Sequence, residues 1–146
     1  MNILRNVFGC IIGVVLGGSI NMALVVLGPS LIPPPAGVDV TNPEALNSSM
    51  HLFEPKHFVF PFLAHALGTL FGGLAAFLVA ASYKATAAFG VGTLFLAGGV
   101  TASFMIPAPM WFIILDLVAA YVPMAWLSAR VGNRIAKGSG VRPTPR

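Results

Sequence analysis

Four long apolar runs, none containing a lysine or arginine, constrain this chain more than any other feature. They cover residues 7–27, 57–82, 86–106 and 109–129. Crossing about 30 Å of hydrocarbon takes about 20 apolar residues as a helix. Lipid cannot satisfy free backbone groups, and the runs are too long for barrel strands, so helices are the expected spanning element. Charged residues make up only 8% of the 146-residue chain, against about 25% in soluble domains. A soluble domain this small would expose much of its surface and would need that charge. The expectation is an all-α polytopic membrane protein. It is a single antiparallel four-helix transmembrane domain over residues 1–130, followed by a basic cytoplasmic tail over 131–146.

The first run follows Arg5 and superficially fits a secretory signal. It exceeds the usual apolar length of about 7–15 residues, and no small-x-small cleavage site ends it. We read it as a retained span. The other spans are joined tightly, by Tyr83, Lys84 and Ala85, and then around Pro107, Ala108 and Pro109. Links this short impose antiparallel neighbours.

The basic residues orient the bundle. Arg5, Lys84, Arg130, Arg134, Lys137, Arg142 and Arg146 fall on one side, and only Lys56 falls on the other, with Asp39, Glu44 and Glu54. The positive-inside rule puts both termini in the cytoplasm and the 28–56 loop outside. Basic groups set out this way signal topology and an anionic-lipid contact. They do not form the aromatic-interleaved basic surface of a nucleic-acid binder. A single cysteine, Cys10, excludes an internal disulfide and any two-cysteine redox chemistry.

The outer loop carries its own pattern. Pro29, Pro33, Pro34 and Pro35 predict a stiff, extended exit from the first span. Asn42, Pro43 and Glu44 read as an N-cap, a proline at the first helical position and an acid in the first turn. Leu46, Met50 and Phe53 then share one face. This predicts a short surface helix over residues 44–53, packed as a loop or serving as a lid over a site.

Gly9, Gly13 and Gly17 recur at four-residue spacing in the first span, Gly68 and Gly72 in the second, with Gly98 in the third. Small residues on one face let helix backbones approach closely in lipid. Packing within the bundle is the expected use, and a homo-oligomer interface through the first span is the alternative.

Polar groups inside spans are the best functional clues. At 1.5 Å per residue, His65 lies ~12 Å, Asp116 ~10 Å, Asn21 ~10 Å and Thr101 ~8 Å below the outer ends of their spans. Each span therefore places one polar group in a common outer layer, and Thr69 sits one turn from His65. Asp116 is the one acid inside a span. Buried alone it would be costly, so it should be protonated or paired, and His65 is the intramembrane candidate to pair with it. A further trio, His51, Glu54 and His57, stands at the start of the second span. Their types suit zinc, but the spacing fits a helical arc poorly and Pro55 interrupts it, so no metal and no cofactor are expected.

Residues 50–69, MHLFEPKHFVFPFLAHALGT, and residues 104–112, FMIPAPMWF, resemble a group of small bacterial four-helix integral membrane proteins with no assigned activity. The resemblance implies a bacterial inner membrane and supplies no mechanism. The leading expectation is a structural or accessory membrane protein, alone, as a homo-oligomer or in a larger membrane complex, whose polar layer fixes helix register. The alternative is a small transporter or channel for a proton, ion or small solute, using His65 and Asp116. No nucleophile and base are paired in the sequence, so an enzyme is not expected.

Overall fold

A computed structural model of the chain describes residues 2–138. These residues fold into helices and turns, with no strand among them. Four helical stretches are long and apolar enough to cross a membrane.

The first helix, α1 (Asn2–Leu31), is longer than the predicted 7–27 and contains Pro29. Proline has no N–H to bond back to the Val25 carbonyl, and the helix ends two residues later. The extended proline exit therefore begins after Leu31. Asn6 ties the start of α1 to a distant turn. Its Oδ1 accepts from the backbone N–H of Ala81 at 2.9 Å and of Ser82 at 3.1 Å. Its Nδ2 donates to Ser82 Oγ at 2.9 Å.

In the loop, α2 (Pro43–Ser49) starts as its sequence requires. Asn42 Oδ1 accepts from the N–H groups of Glu44 and Ala45 at 2.9 and 3.2 Å. The predicted 44–53 helix narrows after Ser49 into a 3-10 turn, Met50–Leu52. A second 3-10 turn, Pro55–Phe58, leads into α3 (Val59–Val79).

α3 ends three residues before the predicted 82, because Ala80 is extended and Tyr83 takes the left-handed conformation at φ 49°. That reversal lets α4 (Lys84–Met105) start two residues earlier than expected.

The last span departs most from the sequence reading. It is two helices, α5 (Met110–Ala119) and α6 (Val122–Gly138), broken at Ala120 and Tyr121. Pro123 accounts for the break. The proline ring would collide with the carbonyl four residues back, Ala119, so the helix stops there and restarts with Pro123 in its first turn, where a missing N–H is harmless. α6 continues through residue 130 to Gly138, and Arg130, Arg134 and Lys137 ride on that helix. Arg142 and Arg146 lie outside the described residues.

α3 is central, touching α1, α4, α5 and α6. A Cβ on Gly13 would lie 2.6 Å from Gly72 O, and one on Gly17 2.5 Å from Gly68 O. Only glycine allows the two backbones this close. Gly9 continues the seam, where a Cβ would meet the Ala80 backbone at 3.1 Å. The glycine stripe of α1 is thus filled by α3 of the same chain, so it is not free to face a second copy. Gly98 has nothing within 4 Å; its neighbour Gly99 makes the close contact instead. On the other side, Ser128 Oγ lies 2.7 Å from Leu70 O, joining α6 to α3.

These contacts sort the charges by end. Arg5 Nε donates to Val79 O at 2.8 Å, and Gly132 packs on Phe77. Arg5, Lys84 and the far part of α6 therefore gather at one end of the helix set. Gly28 packs on Phe60 at the opposite end, which carries the loop with Glu54 and Lys56.

Candidate functional site

Three helices and a helix break assemble a polar cluster in a mainly apolar interior. α3 supplies His65, α5 supplies Asp116, the break supplies Tyr121, and α4 supplies the space. His65 Nδ1 lies 2.9 Å from Asp116 Oδ1 and 2.8 Å from Oδ2. Tyr121 Oη donates to Asp116 Oδ2 at 3.2 Å. The imidazole and phenol rings stack, with centroids 5.7 Å apart and planes 29° off parallel. Gly99 lies against Tyr121: a Cβ there would overlap the phenol hydroxyl. The missing side chain at position 99 is what seats the ring.

Burial differs across the cluster. Asp116 is 5% exposed and Tyr121 2%, whereas the His65 side chain is 24% exposed. No buried side-chain nitrogen or oxygen among the described residues lacks a partner. His65 Nδ1 is the ring nitrogen that faces the carboxylate, which leaves Nε2 on the accessible side.

The other members of the expected layer are placed differently. Thr69 is fully buried, and its Oγ1 donates to His65 O at 2.7 Å, so it braces the turn that carries the imidazole. Thr101 is exposed and turns back onto its own helix, donating to Ala97 O at 2.9 Å. Asn21 lies on the seam between α1 and α3, where a Cβ on Gly68 would come within 3.2 Å of Asn21 Cβ. The equal depths placed four groups in one layer, but helix rotation brings only His65 and Asp116 into contact. Tyr121 was missed. Its signal was a hydroxyl-bearing aromatic in mid-span two residues before Pro123, at a break that periodicity alone does not show.

The pair opens into a cavity of about 380 Å³. Its lining is mainly carbon, and four phenylalanines, Phe53, Phe58, Phe60 and Phe112, contribute to it. Leu46, Met50 and His57 also line it, so the apolar face of the loop helix is turned onto the same space as His65 and Asp116. His65 is two turns into α3, about 9 Å from the loop end at 1.5 Å per residue. Phe58 bridges the loop to α5, 4.8 Å from Phe112 and 5.4 Å from Trp111 between centroids.

Of the His51, Glu54, His57 trio, Glu54 and His57 are engaged locally. Glu54 Oε2 lies 3.0 Å from Lys56 Nζ, and the Lys56 ammonium holds the Glu54 carboxyl below its ordinary range. His57 Nδ1 accepts from the Glu54 backbone N–H at 2.9 Å. Among the described residues, no three His, Cys, Asp or Glu side chains lie close enough to hold a metal ion.

The chain matches no known family model, no curated protein and no solved structure. Geometry alone therefore carries the functional reading.

Proposed function

We propose that the chain is an integral membrane protein that binds a small, largely apolar solute in the outer half of an antiparallel four-helix transmembrane bundle, as a small transporter or channel does. In this reading both termini face the cytoplasm of a bacterial cell, the 32–58 loop faces outward, and lipid covers the apolar residues exposed along α1. The clustering of Arg5, Lys84 and the end of α6 at one end supports that orientation.

One observation carries the binding site: the cavity is lined by His65 and Asp116 together with the apolar face of the outer loop. A mainly apolar pocket with a few convergent polar groups is the usual form of a small-molecule site, and its volume lies within the usual range of about 300–1,000 Å³. The test is equilibrium binding of 4-phenylbutanol to the purified protein, in excess of protein-free micelles. Saturable binding is expected, and Ala102→Phe, which fills the lining at one point, should weaken it. No saturable binding by the folded protein would overturn the reading.

A second reading has its own support. Asp116 is partnered on both oxygens, which is what a structural staple requires. As an accessory membrane protein, the chain would use the pair to fix helix register. Asp116→Asn separates the two readings: lost folding with no change in any flux favours the staple, and a folded protein with altered solute binding favours the site.

A further inference from the structure

Resting on the binding reading above, we infer that the cavity takes an amphipathic organic monocation, an apolar body bearing one protonated amine, which competes with one proton for the His65/Asp116 pair.

Charge complementarity sets the class of ligand. The lining contains no lysine and no arginine, and Asp116 is its one acid. Two imidazoles, His57 and His65, are the other titratable groups on the wall. α1 and α4 contribute none: their lining residues are Val25, Gly28 and Pro29, and Gly99, Ala102 and Ser103. Tyr121 faces the carboxylate from behind and is 2% exposed. The cavity can therefore hold negative charge and has no fixed positive charge to oppose a cation.

The carboxylate also has capacity left. Two oxygens offer about four acceptor sites. His65 Nδ1, shared between the two oxygens, and Tyr121 Oη on Oδ2 use fewer than that. A ligand N–H reaching Asp116 would make a charge-assisted bond in a water-poor setting. The phenylalanine rings would receive the rest of a cationic ligand, since ring faces attract cations and ring bodies bury carbon. An anionic ligand would meet the carboxylate with no compensating cation.

Proton competition follows from counting. A neutral imidazole beside an ionised carboxylate carries a net charge of −1. One added proton brings the pair to zero, whichever of its atoms holds it. An organic monocation at Asp116 brings the site to zero by the other route. Holding both would leave the pocket at +1 inside an apolar interior, which is costly. The two cations therefore exclude each other, and binding of the amine releases a proton whenever the pair holds one.

Calorimetric titration of the purified chain with 4-phenylbutylamine, 4-phenylbutanol and 4-phenylbutanoate tests this. The amine keeps its charge across about pH 5–8, the range in which histidine titrates, so any pH dependence there belongs to the protein. The amine should bind about tenfold or more tighter than the alcohol at the upper end of that range. Its affinity should fall toward the lower end with a slope approaching one proton per ligand, and proton release should be measurable in weakly buffered solution. Asp116→Asn should erase the advantage of amine over alcohol. Should that variant fail to fold, His57→Gln decides: proton release that persists without the second wall imidazole belongs to the pair, and release that vanishes with it would overturn the inference. Equal or tighter binding of the alcohol or the butanoate, or amine binding with no proton displaced, would overturn the inference while leaving the cavity as a binding site. Binding of none of the three would overturn the site itself.

Discussion

His65 and Asp116, 51 positions apart in the chain, meet with Nδ1 within 2.9 Å of both carboxylate oxygens. This contact joins α3 to α5, two helices that otherwise touch little. Replacing both by alanine in a double-mutant cycle should reveal a coupling of about 1 kcal/mol. Hydrogen bonds between membrane helices average about 0.6 kcal/mol and reach about 1.7. Reversible unfolding in mixed micelles would measure it, and additive single effects would show the contact to be energetically idle.

The seat of Tyr121 offers a second test. Tyr121→Phe removes one hydrogen bond to Asp116 and should cost about 0.5–1.5 kcal/mol. Gly99→Ala should cost more, because the new methyl group meets the phenol ring and must displace it from the carboxylate. Overpacking of this kind typically costs about 1–3 kcal/mol. If Gly99→Ala were as stable as the parent chain, the described seat would be wrong.

The glycine seam makes a graded prediction. Gly13→Leu or Gly17→Leu should separate α1 from α3 and lower stability by about 3 kcal/mol or more, the upper end of overpacking costs. Gly98→Ala and Gly18→Ala face open space and should be neutral or slightly stabilising, since alanine favours a helix over glycine by about 1 kcal/mol. Thermal melting of the four variants in one detergent would rank them. A ranking that placed Gly98 beside Gly13 would contradict the packing.

Orientation can be read chemically. In a Cys10→Ser background, Ser48→Cys on the loop should react with an impermeant maleimide from outside intact cells. Asn133→Cys on α6 should react only after permeabilisation. The reverse pattern would invert the proposed topology.

The loop also makes a pH prediction outside the membrane. Asp39 Oδ1 accepts from Thr41 Oγ1 at 2.6 Å and from Thr41 N–H at 2.9 Å. These bonds hold the Asp39 carboxyl below its ordinary value of 3.8, the hydroxyl bond contributing most. A depressed folded-state value means that the turn gains stability above the unfolded value and loses it as pH falls through the folded one. Titration by NMR should find Asp39 below 3.8, and Thr41→Val should move it upward. An unmoved value would remove the hydroxyl as the cause.

Much of the fold was legible because long uncharged runs mark long apolar helices, and Asn42 with Pro43 marks a helix start. The break at Ala120 and Tyr121 was not, because nothing in an apolar run separates a proline that bends a helix from one that begins a new one. Within the site, the pairing of His65 with Asp116 followed from scarcity, there being one acid inside the runs and one imidazole away from their ends. Depth is one coordinate, however, and rotation about the helix axis is another. Asn21 and Thr101 share the depth and lie on other faces, and Gly98 and Gly99 differ by one residue and have opposite surroundings.

The 51-residue gap between His65 and Asp116 also has a consequence for biogenesis. A chain inserted in order of synthesis delivers the imidazole first and the acid two helices later. In the membrane-inserted chain proposed above, Asp116 would be an isolated carboxyl in hydrocarbon until α5 docks, at a cost of at least about 2.5 kcal/mol if ionised. The acid therefore arrives after the imidazole that will pair with it. Arrest of synthesis between α4 and α5 would leave a three-helix intermediate without the cavity wall that Phe112, Ile113, Asp116 and Leu117 supply, and with the imidazole unpaired.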